Sequence, residues 1–231
     1  MSWSAAILTL YPEMFPGPLG VSLIGKALAK GIWTLDVHDI REHGIGRHRT
    51  VDDTPAGGGP GMVLRADVAI AAIDAVARDA RPIIYLSPRG APLTQARVTA
   101  LAQGFGAILL CGRFEGLDER AIEARQIEEI SLGDFVLAGG EIAAMALLEA
   151  VVRLLPGVLG DAASTADESF ASGLLEYPHY TRPQEVAGLA IPDVLNQGNH
   201  KEIAKWRRQR AEELTKARRP DLWTLYEKSK R

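Results

Sequence analysis

The stretch SLGDFVLAGGE, residues 131–141, carries three glycines, two carboxylates and a short apolar centre. It sits between a strand-like run and a long apolar helix. Gly133 ends the strand, Phe135, Val136 and Leu137 are apolar, and Gly139-Gly140 lets the backbone approach a neighbour closely. Taken alone, the stretch reads as an ordinary strand-to-helix connection with a glycine turn. Its company makes it the floor of a ligand site.

Two further loops share its character. Ile83–Leu86 reads as a strand that ends in Ser87-Pro88-Arg89-Gly90, and Ala107–Cys111 as a strand followed by Gly112-Arg113-Phe114-Glu115-Gly116. In a parallel sheet the loops after successive strands fall at one edge, where ligands bind. Glycines there expose backbone N–H and C=O groups, Pro88 fixes the chain, and Glu115 supplies a negative charge suited to a cation. Three such loops together favour a small-ligand pocket over three unrelated connections.

Working outward, strands and helices alternate, which argues for an α/β domain with a mainly parallel sheet. Ala6–Leu10 and Ile32–His38 read as strands, as does Gln126–Ser131. Helices are expected over Val21–Lys30, stopping at Gly31, over Ala66–Arg78, from the Thr94 cap to Gln103, over Leu117–Arg125, and over Glu141–Leu155 ahead of Pro156. Asp39–Met62 reads as one long polar loop, a length that is usually functional or disordered. Residues 157–172 are small and polar and read as a linker between domains 1–156 and 173–231. The second domain holds basic helices over Asn199–Ala217 and Asp221–Lys230.

Composition bounds the function. The 231 residues are 47% hydrophobic and 24% charged, which is ordinary for a globular protein. The single cysteine, Cys111, excludes a disulfide framework within the chain. The N-terminus lacks a basic region before its apolar run, which argues against a signal peptide. No uninterrupted apolar stretch approaches roughly 18 residues, so no membrane span and a cytoplasmic location are expected. The net charge of −3 hides an asymmetry: residues 200–231 hold eleven Lys/Arg against five Asp/Glu, and residues 1–199 hold 15 against 24. A basic tail on an acidic body fits a polyanionic partner, and it equally fits a solvated helix face.

Two tempting motifs fail. Gly20–Ala27, GVSLIGKA, comes near a phosphate-binding loop, but Ala27 replaces the hydroxyl residue that would hold Mg²⁺ and no strand leads into Gly20. No G-x-G-x-x-G opens a helix after a strand. His38, His43 and His48 form no recognised metal spacing, so no metal site is expected.

The segments HRTVDDTPAGGGPGMV (48–63), YLSPRG (85–90), CGRFEGLDER (111–120), IEEISLGDFVLAGGE (127–141) and SFASGLLEYPHYTRP (169–183), with LYPEMF near the start and HKEIAKWR near the end, resemble the TrmD family of bacterial tRNA (guanine-N1)-methyltransferases. The resemblance covers essentially the whole chain and its motifs are long. It implies a SPOUT-class α/β fold with a deep trefoil knot, a small mostly helical C-terminal domain, and a homodimer whose active sites are shared between chains. It implies S-adenosylmethionine as methyl donor and, as substrate, the guanine immediately 3′ of the anticodon in tRNA, preferably preceded by another guanine. Family reactions are often described as Mg²⁺-dependent. A non-catalytic RNA-binding protein of the same fold is the alternative.

By the same resemblance the cofactor meets Tyr85, Leu86, Ser87 and Pro88, then Gly112, Arg113, Glu115 and Gly116, then Ser131, Leu132, Gly133, Asp134, Phe135, Val136 and Leu137, with Gly139 and Gly140 beside them. Ser131 departs from the aliphatic residue of many relatives. Asp52, Pro60 and Gly61 fall on the substrate side, and Lys201, Lys205, Arg207, Arg208 and Arg210 are expected on tRNA phosphates, with Trp206 either covering a sugar or base or packing the helix pair. Guanine N1 carries a proton, so its methylation needs a base and stabilisation of charge growing on O6. The family base is an aspartate directly before Ser-Phe. Here Glu168 holds that position, with Asp167 before it, and either acid can serve. Arg153 matches the arginine that stabilises O6, and a cation at a helix C-terminus is also favourable by itself.

Overall fold

The structure, a computed structural model, describes residues 2–76, 79–160 and 168–230. The chain divides into two compact units, Met1–Gly160 and Asp161–Arg231.

In the first unit, β1 (Trp3–Thr9), β2 (Trp33–Asp39), β5 (Ile83–Pro92), β6 (Gly106–Leu110) and β7 (Glu128–Ser131) form a five-stranded sheet in the order β2-β1-β6-β5-β7. Every pairing in it is parallel. A parallel sheet is covered on both faces, so its inner strands are apolar throughout. Accordingly Ala5 and Ile7 of β1 and Ala107 and Leu109 of β6 face one layer, with α1 (Ser22–Ala29), α3 (Gln95–Ala102) and α5 (Glu141–Val152). Ala6, Leu8, Ile108 and Leu110 face the other, with α2 (Ala66–Val76) and α4 (Glu119–Arg125). The indole N–H groups of Trp3 and Trp33 donate to the carbonyls of Leu101 and Ile24, so these large rings are buried without an orphaned donor.

Three expectations are revised by packing. The segment 87–90, read as a loop after a strand, runs inside β5: Leu86 and Ala91 both pair with Ile130, and the residues between them arch out as a bulge. The long loop 39–62 is tied down. Asp39 caps a short 3-10 turn, Ile40–His43, Ile45 and Thr50 exchange backbone hydrogen bonds, and β3 (Asp52–Asp53) pairs antiparallel with β4 (Val63–Leu64). The helix after Gly140 ends at Val152, and Val158, placed in the linker by composition, is buried in the core of the first unit. The expected helix over 66–78 is seen to Val76, and Ala77 and Arg78 lie outside the described residues. Thr94 caps α3 as anticipated, accepting the Arg97 N–H, a contact worth about 1 kcal/mol.

The second unit contains a short hairpin, β8 (Glu185–Val186) with β9 (Leu189–Ala190), and two helices, α6 (His200–Arg218) and α7 (Pro220–Ser229). Asn199 caps α6, accepting from the Lys201 and Glu202 amides. Leu174, Ala211 and Tyr226 are buried together, with Tyr177 and Trp223 against them. Around Tyr226, its hydroxyl donates to Glu212 at 2.8 Å, and Arg208 and Lys230 close on the same carboxylate at 3.3 and 3.0 Å. The Tyr226 hydroxyl first, then Lys230 and Arg208, hold the Glu212 carboxyl below its ordinary value. A depressed carboxylate stabilises the folded state above its unfolded pKa, and that contribution is lost as pH falls through the folded one. Glu212→Gln is therefore expected to remove part of the acid-induced loosening of α7, measured as amide hydrogen exchange across the acid range.

Candidate active site

Strands β6, β5 and β7 are neighbours, so the segments at their C-terminal ends meet. Residues 85–89, 112–117, 130–133 and 135–140, with Ala143, line one cavity of about 340 Å³. That is within the range of small-ligand pockets. All the cofactor residues named from the sequence stand on its wall except Asp134, which is exposed and does not line the cavity. Arg89, Phe114, Leu117, Ile130, Ala138 and Ala143 also line it and were not singled out. Three of these six, Arg89, Phe114 and Ala138, belong to the same three loops, so taking each loop whole would have included them; Leu117, Ile130 and Ala143 lie just beyond the loops.

The loops are locked by close backbone approach. The Gly140 amide donates to the Gly112 carbonyl at 2.9 Å, and a Cβ on Gly140 would stand 2.8 Å from the Cα of Cys111. No side chain fits there without moving backbone. The Tyr85 ring closes on the same seam, 2.5 Å from where a Cβ on Gly112 would stand; it is 5% exposed, and burial pushes its phenol above the ordinary value. Cys111 is fully buried, and its thiol is pushed well above the ordinary value by burial, then by Glu141. It is packing, not chemistry.

Behind the cavity is a charge the sequence concealed. Glu141 opens α5 and is 1% exposed. Its carboxylate meets the Arg113 guanidinium at 2.8 Å and accepts the Thr9 hydroxyl at 2.8 Å. Arg113 also donates to the Ala138 carbonyl at 3.3 Å and stacks over the Tyr11 ring at 4.3 Å. One arginine thus ties together the β1 end, the loop after β6 and the loop after β7. An acid in a first helical turn looks like a solvated dipole partner. Nothing in its spacing points to Thr9, 132 residues away.

The other rim is set by Arg89, which bridges Glu119 at 2.9 Å and Glu129 at 3.1 Å. Glu115 stands exposed on the cavity wall, and its side chain fills the space where a Cβ on Gly61 would be, 2.3 Å from Glu115 Oε1. Gly61 is in the left-handed region at φ +83°, so glycine is required there twice over. The glycine-rich turn 55–61, with Pro60, is therefore brought to the pocket, and Asp52 is fixed at its base by pairing with Leu64. Asp53 holds Arg65 at 3.3 Å.

Arg153 caps the C-terminus of α5, half-buried. Glu168 belongs to the second unit and lies in a turn, half-buried. Asp167 lies outside the described residues. Along α6, Lys201, Lys205 and Arg207 are exposed, and Arg207 lies over the Tyr177 ring at 4.8 Å. Arg208 is exposed as well, but its guanidinium is held by Tyr226 and Glu212, which gives it a structural role beside any phosphate contact. Trp206 meets Tyr180 edge-on at 6.1 Å and is half-buried, between the two roles foreseen for it. Among the described residues no group of three or more His, Cys, Asp or Glu gathers as a metal site, and no helix is long and apolar enough to cross a membrane.

The cavity, the glycine seams and the basic helix face agree with the comparison to known proteins. Over 224 residues the chain is 66% identical to a tRNA (guanine-N(1)-)-methyltransferase of Rhodopseudomonas palustris (strain TIE-1), covering 96% of this chain and 90% of that protein. It is 64% identical over 227 residues to the enzyme so named from Brucella ovis, covering 98% and 94%. The family model described as tRNA (Guanine-1)-methyltransferase TrmD matches residues 4–225, which takes in every pocket loop and nearly all of the basic helices, and the chain belongs to that family.

Proposed function

We propose that this protein transfers a methyl group from S-adenosylmethionine to N1 of the guanine immediately 3′ of the anticodon in tRNA, producing m1G37. The observation that carries the reading is the convergence of three glycine-bearing segments from adjacent strands on one cavity, in a chain of this family. The cavity suits such a donor. Its walls mix exposed backbone groups with the apolar Phe135, Val136 and Leu137, and Glu115 places a carboxylate where a cationic ligand would benefit. When bound, the donor supplies a methyl already activated on a sulfonium.

The remaining work falls to the protein. Residues 85–89, 112–117 and 130–140 hold the donor in one pose, so alignment replaces a bimolecular encounter. Glu168 takes the N1 proton as the N1–methyl bond forms, and Arg153 stabilises the charge on O6. The family's possible Mg²⁺ finds no cluster of donors among the described residues, and no step is routed through it.

The SPOUT trefoil knot belongs to the same proposal. It is supported by the way the 132–140 segment presses on 111–112 while β7 lies outside β5. So does the homodimer with shared sites. Val136 at 82% exposure, with the exposed Phe135 and Leu137 on either side of it in the chain, leaves an apolar patch on the pocket that a second copy would cover, bringing its own Glu168. In this assignment the first unit binds the donor and the second grips tRNA in the cytoplasm.

The deciding experiment supplies labelled S-adenosylmethionine with tRNA transcripts bearing GG or AG at the anticodon edge. Methylation of the GG transcript at N1 is expected, and its absence sinks the reading. Alanine at Lys201, Lys205 and Arg207 together is expected to weaken tRNA binding and reduce its salt slope by roughly one for each phosphate that no longer meets a cation. Filter binding across a salt series measures both.

A further inference from the structure

Helix α6 carries a second feature beside its basic face. Thr215 is fully buried in it, and its hydroxyl donates to the Ala211 carbonyl at 2.7 Å. A threonine that satisfies its own proton on the preceding turn keeps a lone pair for another donor. That donor is the Leu175 amide, at 2.8 Å and 40 residues earlier in the chain. The neighbouring Leu174 is 5% exposed and packs with Ala211 and Tyr226.

Immediately upstream the chain closes on itself. Phe170 N–H donates to the Leu174 carbonyl at 2.7 Å, Ala171 N–H to the Glu168 carbonyl at 3.1 Å, and Glu176 N–H to the Ser169 hydroxyl at 3.0 Å. Phe170 is held at φ +77°, a conformation a bulky residue keeps only where its surroundings impose it. Residues 168–172, read from composition as part of a linker, therefore form a fastened turn. The fastening runs from Thr215 through Leu175 and Leu174 to the backbone of Glu168.

We propose that Thr215 is a positioning residue for Glu168: it fixes on α6 the turn that presents the base, so the helix offering cations to the tRNA also sets where the proton acceptor stands. This rests on Glu168 being the base of the proposed reaction. Thr215 touches neither substrate nor donor and acts only through the turn.

Thr215→Val keeps the shape and removes the acceptor. It is expected to lower kcat for tRNA methylation roughly tenfold while leaving the Kd values for S-adenosylmethionine and tRNA within about twofold, and Thr215→Ser is expected to restore kcat. In a Glu168→Gln background Thr215→Val should have no further effect, since the group it positions is gone. A folded Thr215→Val enzyme with undiminished kcat overturns the proposal. So does an equal fold-loss in the Glu168→Gln background, which leaves Glu168 as base intact. Full activity of Glu168→Gln alone removes the base, and the positioning role with it. If Thr215→Val does not fold by circular dichroism, Ser169→Ala, which opens the same turn at its half-buried hydrogen bond, carries the same expectations and the same overturning results.

Discussion

Glu141→Ala is expected to destabilise the protein by about 3–5 kcal/mol, the cost of removing one member of a buried ion pair. The magnitude follows from burial. Glu141 is almost fully enclosed and the Arg113 side chain is only 20% exposed, so the charge left behind when the partner is lost is poorly solvated. Thr9, fully buried, loses its acceptor as well. Exposed pairs such as Arg125–Asp74 contribute far less, because solvent screens them and two long side chains must be ordered. Glu141→Gln should cost less, since it still accepts from Thr9. The double change Arg113→Met with Glu141→Leu should recover much of the loss, because a dry apolar pair carries no desolvation penalty. Urea midpoints at unchanged m-value measure all three. A loss below about 1 kcal/mol for Glu141→Ala would place the pair among surface contacts and overturn the account. Affinity for S-adenosylmethionine should fall in the same variant, since Arg113 also holds the Ala138 carbonyl on the pocket wall.

Glu168→Gln is expected to reduce kcat by about 10²–10⁴-fold, the usual contribution of a positioned general base. Glutamine matches the shape and hydrogen-bonding reach of the carboxylate but cannot accept the N1 proton at neutral pH. Binding of donor and tRNA should therefore persist while turnover is lost, a separation that single-turnover methyl transfer and equilibrium binding together resolve. Retained turnover would transfer the role to Asp167, and Asp167→Asn would then carry the loss. The family pattern has aspartate before Ser-Phe, one methylene shorter. Glu168→Asp is accordingly the informative third variant, because activity restored by it would show that the turn tolerates either length.

The parallel α/β architecture was legible because buried strands announce themselves. Ala5–Leu8 and Ala107–Leu110 are apolar on both faces, and Gly31 and Gly104 punctuate the helices between. The pocket was legible because its walls are local: three loops, each next to its own strand. What escaped were relations between distant residues. Glu141 looks like a solvated acid until α5 is placed against the ends of β1 and β6. Residues 87–90 look like a loop because Pro88 and Gly90 break strands, and they do arch out unpaired; what the segment does not show is that Ala91 and Pro92 rejoin β7 beyond them. Composition called 157–172 a linker throughout, yet Val158 is core and the turn at 168–172 is held by Thr215, whose role is invisible until α6 is packed. Arg208 counted among the phosphate contacts by charge, while Tyr226 and Glu212 claim it.

The glycine-rich turn and the pocket loop share one seam. Glu115 N–H donates to Met62, Leu64 N–H to Gly116, and Asp118 N–H to Leu64, all within 3.0 Å. If donor and guanine occupy the two banks of this seam as proposed, any coupling carried by it and by the Glu115 side chain would be symmetric: each ligand would change the affinity for the other by the same factor. Whichever arrives first, the sum is the same. Under the proposed function the enzyme would then distinguish a complete reacting pair from either component alone, with Glu115 standing on both banks.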